Sequence, residues 1–157
     1  MLNRILAVVG MLVMAMPALA LDDAVNTGRF NSTAIDGYDT VAYFTDGKPV
    51  EGDKAFQVEW RGATWRFASQ ANADTFKADP ERYAPQYGGW CAYAMSDKGR
   101  TVRIDPEAWY IHEDKLYLNY SPRVQKVWLE DRDLNIQQAD GFYPETTDIG
   151  AWLSKEG

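Results

Sequence analysis

The chain has 157 residues, with 23 acidic against 16 basic side chains, a formal charge of −7, and one cysteine and one histidine. That charge repels phosphate backbones and argues against nucleic acid as a partner. A single cysteine excludes any disulfide within the chain, so packing must hold the fold, with six Trp and nine Tyr as its means.

Met1–Arg4 carries one positive charge, Ile5–Pro17 is almost wholly apolar, and Ala18-Leu19-Ala20 fits a small-x-small cleavage pattern followed by Asp22-Asp23. The pattern predicts a secretory signal peptide over 1–20, cleaved after Ala20. Cleavage leaves one domain's length of chain, periplasmic or secreted, with no later apolar run long enough to span a bilayer. Residues 21–34 are polar and mixed and read as a loosely attached N-terminal arm; the domain proper spans 35–157. The short apolar stretch Thr40–Phe44 suits a strand or one helical turn, and Asp39 is placed to cap it.

Phe56, Val58 and Trp60 alternate with polar residues, as do Ala63, Trp65 and Phe67, around Arg61-Gly62. This predicts a hairpin with one apolar face. Ser69 caps a following short helix carrying Ala73 and Phe76, and Asp79-Pro80 caps a second short turn ending near Tyr83. After the Gly88-Gly89 break, Cys91–Met95 and Thr101–Ile104 are expected as strands. Trp109–Ile111 and Leu116–Tyr120 form a second hairpin around Glu113-Asp114. Ser121-Pro122 opens a longer C-terminal helix with Gly141 as its stop, and Trp152 and Leu153 pin a terminal segment. No internal repeat or linker is legible. The sum is an α+β domain: a small antiparallel sheet built from hairpins, with a short helix after the first and a longer C-terminal helix.

The residues Trp60, Gly62, Trp65, Phe67, Ser69, Phe76, Pro80 and Tyr83 resemble the YHS domain. The pieces Gly37–Phe44, Tyr83–Ala94, Asp105-Pro106 with Trp109, and Leu116–Ser121 extend the likeness to exported, single-domain bacterial YHS proteins. The resemblance implies a module linked to metal handling. The Phe-Cys-Ser-x-x-Cys pattern of its metal-associated members is absent: Ala68 and Asn72 stand at the two cysteine positions.

Three sites are candidates. A soft metal, copper first, is expected near Cys91 with Met95 four residues on and His112 as a nitrogen ligand, because thiolate with thioether favours copper(I). The bland reading makes Cys91 a small buried apolar residue and Met95 core filler. An aromatic pocket is the second candidate: Tyr38, Tyr43, Tyr83, Tyr87, Trp90, Tyr93 and Trp109 either line a site for haem or an apolar ligand, or build the core. A Cys-His thiol enzyme is the third, and would need Cys91 and His112 in hydrogen-bond reach. The expectation is a binding protein, not an enzyme, whose partner is a metal ion or small ligand; in the alternative it is a protein-interaction module with an inert Cys91.

Overall fold

A computed structural model describes residues 20–156. The signal segment falls on 1–20, almost wholly outside them. Two antiparallel hairpins form the sheets: β1 (Asp53–Trp60) with β2 (Ala63–Phe67), and β3 (Asp105–His112) with β4 (Lys115–Asn119). Each turns through two residues of positive φ, Arg61 (48°) and Gly62 (71°), then Glu113 (49°) and Asp114 (58°). Positive φ at both positions is what a type I′ hairpin turn requires. Helices are α1 (Ala42–Thr45), α2 (Gln70–Ala78), α3 (Pro80–Tyr83), α4 (Ala92–Ser96), α5 (Pro122–Glu130), α6 (Arg132–Thr146) and α7 (Ile149–Glu156). No described helix is long and apolar enough to cross a membrane.

The predicted caps are present. Ser69 Oγ accepts from Asn72 N–H at 3.1 Å, Asp79 Oδ1 from Arg82 N–H at 3.3 Å, and Ser121 Oγ from Val124 N–H at 3.3 Å. Each satisfies one donor that a helix start leaves open. The core has two parts. One gathers Ile35, Val41, Tyr43, Trp65, Phe67, Phe76, Cys91 and Leu118; the other gathers Tyr87, Met95, Tyr117, Trp128 and Ala139.

These elements repeat. β3, β4 and α5 begin at 105, 115 and 122, each 52 positions after β1, β2 and α2 at 53, 63 and 70. The irregularity in each hairpin falls at the same place, between Asp53 and Gln57 and between Asp105 and Trp109. A left-handed turn opens each copy: Ile35, Asp36 and Gly37 at φ 52°, 52° and 86°, then Tyr87, Gly88 and Gly89 at 57°, 59° and 80°. Asp39 N–H donates to Val50 O, and Cys91 N–H to Val102 O. Even the strand-to-helix ring stacking recurs. Trp65 lies 5.0 Å from Phe76 at 30°, and Tyr117 lies 5.2 Å from Trp128 at 35°. The same chain path is used twice, with no insertion between 35–79 and 87–131, which corrects the expectation of no repeat.

Other expectations change. Cys91–Met95 is not a strand: Ala92–Ser96 is α4, with Cys91 as its N-cap. Ala and Met are strong helix formers, and the run is too short for its alternation to decide. Thr101–Ile104 is not a strand either; its Val102 O accepts Cys91 N–H. Gly141 does not stop the C-terminal helix. The break comes at Asp131 (φ −127°), and α6 runs on to Thr146 because Ala139, Phe142 and Tyr143 pack on the second core. The arm is not loose. Ala24, Val25 and Asn26 are buried, Asn26 N–H donates to Gly88 O at 2.9 Å, and Asp22 N–H donates to Thr146 O at 3.0 Å.

Candidate functional site

Cys91 sits at the start of α4 and is 1% exposed. Its Sγ accepts from Tyr120 N–H at 3.3 Å and Ala94 N–H at 3.5 Å, and its thiol faces Asn119 Oδ1 at 3.7 Å. Asn119 Oδ1 also accepts Tyr93 N–H at 3.2 Å. Burial pushes the thiol above its ordinary value, against the opposing pull of those backbone N–H groups and Arg100. A sealed, protonated sulfur is neither a ready nucleophile nor a ready ligand.

The counterpart of Cys91, 52 positions earlier, is Asp39, which is fully buried. Its Oδ1 accepts Val41 and Ala42 N–H at 2.9 and 3.1 Å; its Oδ2 accepts Ala68 N–H at 2.9 Å and Asn72 Nδ2 at 2.7 Å. Ala42 and Ala68 correspond to Ala94 and Tyr120, so the carboxylate and the thiol fill the same backbone socket. Asp39 is the cap that the sequence suggested, and it also ties α1 to the start of α2. The two positions where the resembling metal-associated modules carry cysteine, Ala68 and Asn72, both serve this carboxylate.

Of the three candidate metal ligands, Cys91 and Met95 lie one turn apart at α4, and His112 lies away from Cys91. Cys91 packs in the first core and Met95 in the second. His112 pairs with Lys115 at the turn of the second hairpin, whereas Cys91 meets Asn119 and Tyr120 at its open end. Four residues of strand separate those ends, about 13 Å. The His112 Nε2 is 3.9 Å from carboxylates of Glu113 and Asp133. Among the described residues, no group of three or more His, Cys, Asp or Glu side chains is arranged to hold a metal ion.

The aromatic residues divide. Tyr43 is buried against Trp109, with ring centroids 5.4 Å apart, and its hydroxyl donates to Pro106 O. Tyr38, Tyr83 and Tyr93 pack on the first core, and Trp90 on the second. Tyr87 alone of the seven reaches a cleft of about 430 Å³ beside the Gln86–Gly89 turn. This volume lies within the usual range of small-molecule sites. Val25, Trp60, Pro85, Tyr143, Ile149 and Leu153 supply its apolar walls, and Arg61, Glu81 and Asp140 its charges. Arg61 donates to Glu81 Oε1 at 2.7 Å and lies 4.3 Å over the Trp60 ring. Tyr87 OH donates to Asp140 Oδ1 at 3.0 Å, and Tyr143 OH to Ala24 O at 2.7 Å. Burial first, then the Asp140 charge, pushes the Tyr87 hydroxyl far up; burial lifts Tyr143 to about 12.

Arg61, Glu81, Asp140 and Tyr143 escaped the sequence reading. Asp140 and Tyr143 share a helix face by their spacing of three. Nothing local shows that α6 folds back onto the second left-handed turn. Among the described residues no His, Cys or Met lines the cleft, so haem iron would find only carboxylate and tyrosine oxygens already hydrogen-bonded elsewhere.

The model of the YHS domain family matches residues 41–87. The matched segment runs from the start of α1 through the first hairpin and α2 to the second left-handed turn, and the second copy of the path lies beyond it. The family is linked in general to metal binding. No curated protein and no solved structure matches the chain.

Proposed function

We propose that this is an exported, single-domain YHS-like binding protein, periplasmic or secreted, that holds a small and mostly apolar molecule in the cleft between Trp60, Tyr87 and Tyr143. The observation carrying this reading is the contrast between the two candidate sites. The cleft is open and apolar with a few convergent polar groups, while the only thiol is sealed as a helix cap. Arg61 is offset by Glu81 and Asp140, so the lining carries one net negative charge and suits a neutral or monocationic ligand. The N-terminal apolar run and its Ala18-Leu19-Ala20 end support export.

The test is an amide and indole N–H NMR titration of the mature protein with benzylamine and, separately, benzoate. Saturable shifts at Trp60 and Leu153 with benzylamine, weakened by Asp140→Asn, are expected. Shifts scattered over the surface, or a preference for benzoate, would overturn the assignment.

A soft metal ion such as copper near Cys91, with Met95 and His112, is the second reading. The family's link to metal and the two backbone N–H groups aimed at Sγ support it. It requires α4 to release the sulfur. Copper(I) titration against a competing chelator separates the readings: affinity lost in Cys91→Ser favours the metal, and unchanged affinity favours the cleft.

A further inference from the structure

Beside the first left-handed turn lies a second cleft, of about 410 Å³, lined by Gly28, Arg29, Phe30, Asn31, Thr33, Asp36, Arg66 and Arg103. Three arginines face one aspartate there, a formal +2 in a chain of −7. Arg103 donates to Asp36 Oδ1 at 2.5 Å. Arg66 projects from β2 beside Gly37 and Thr33, and its Nε is buried with no hydrogen-bond partner among the described residues. A buried guanidinium N–H without an acceptor is costly, and its natural complement is an anion. Phe30 stands at the rim, 95% exposed.

We propose that this cleft binds a tetrahedral oxyanion, a phosphate group either as the free ion or as the monoester of a small aryl or alkyl alcohol. Guanidinium groups present paired N–H donors that match phosphate oxygens, and the net charge of the lining balances a dianion. Arg66, Arg29 and Arg103 together line the cleft with guanidinium groups. Phe30 offers an apolar face to the alcohol part of an ester. This cleft is separate from the apolar one and shares no lining residue with it.

The test follows the Arg66 Nε–H resonance of the mature protein by NMR during titration with inorganic phosphate, phenyl phosphate and chloride. Saturable movement with either phosphate and none with chloride is expected. Arg103→Gln, on the exposed wall, should weaken binding about tenfold, the scale of one charge-assisted hydrogen bond. Arg66→Gln, followed at the backbone amides of Thr33 and Gly37, should abolish it. Tighter binding of phenyl phosphate, reversed by Phe30→Ser, identifies an ester as the ligand; equal binding identifies the free ion. An Arg66 resonance unmoved by phosphate, or binding unchanged in Arg103→Gln, would overturn the proposal.

Discussion

Asp39 and Cys91 fill the same socket in two successive copies of one chain path: Asp39 takes the N–H groups of Ala42 and Ala68, and Cys91 those of Ala94 and Tyr120. The sulfur thus stands where the first copy has a carboxylate whose whole work is structural. The sockets differ at two donors: Tyr93 N–H, the counterpart of Val41 N–H, goes to Asn119 Oδ1 instead of the sulfur, and the side-chain donor is missing. Asn72 reaches Asp39, whereas its counterpart in the second copy is Val124.

That difference predicts a double-mutant cycle. Cys91→Asp places a carboxylate in a socket that lacks the side-chain donor, and Val124→Asn supplies it. Each single change should destabilise the protein, and together they should cost less than their sum. The favourable coupling should be about 1–3 kcal/mol, typical of a hydrogen bond to a charged group. Urea unfolding of the four proteins measures it. A coupling of zero would show that the two sockets are not equivalent.

Asp39 itself should be among the least tolerant positions. Asp39→Ala leaves the N–H groups of Val41, Ala42 and Ala68 and the Asn72 amide without their acceptor in a fully buried place. The expected loss is roughly 3–5 kcal/mol. Asp39→Asn should cost nearly as much, because its amide would bring a donor against donors. Thermal denaturation with the midpoint shift of each variant checks both.

The hairpins, the three caps and the helix after the first hairpin were legible because each rests on local chemistry: alternation at period two, Ser or Asp before a helix, Pro at its first turn. The duplication was not. Only Gly37, Ala42, Gly47, Val50, Asp53, Ser69 and Asp79 recur at Gly89, Ala94, Gly99, Val102, Asp105, Ser121 and Asp131, seven positions in the 45 compared. These are mostly turn and cap residues, which constrain backbone rather than packing, while the core was refilled with other side chains: Tyr43 became Met95 and Phe76 became Trp128. Cys91 and Met95 looked like partners because four residues separate them. The cap geometry turns the sulfur back over the helix start, and Met95 serves a different core. The cleft lay beyond local pattern because α6 and α7 contribute Asp140, Tyr143, Ile149 and Leu153 from far along the chain.

Alkaline pH should unfold the protein in two stages. Burial raises the Cys91 thiol above its ordinary 9.0 and raises Tyr87, Tyr117 and Tyr143 above 10.0, Tyr117 and Tyr143 to about 12. In each case the unfolded chain loses its proton first, so stability is complete below the unfolded value and falls as pH rises toward the folded one. The loss should begin near pH 9.0 through Cys91 and steepen above pH 10.0 through the tyrosines. Cys91→Ser should delay the onset without changing the second stage. Melting temperature against pH for both proteins checks this; an identical onset would remove Cys91 from the account.

Gly88 should hold the N-terminal arm. It stands at φ +59°, and a Cβ there would come 1.7 Å from Ala24 O, in the backbone that Tyr143 and Asn26 tie down. Gly88→Ala cannot keep both the turn and that contact. The arm should detach, and amide exchange at Asn26 should rise well above its native rate while amides of α2 stay protected. Unchanged protection at Asn26 would show that the arm is held by other contacts.

The central claim is that Cys91 is a structural cap and that binding happens elsewhere. Its most direct test is the rate at which an aromatic disulfide reagent labels the native thiol across a urea series. Labelling that is negligible in buffer and follows global unfolding is the result this structure predicts. Rapid stoichiometric labelling in buffer, suppressed by equimolar copper(I) while the fold stays intact, would contradict it.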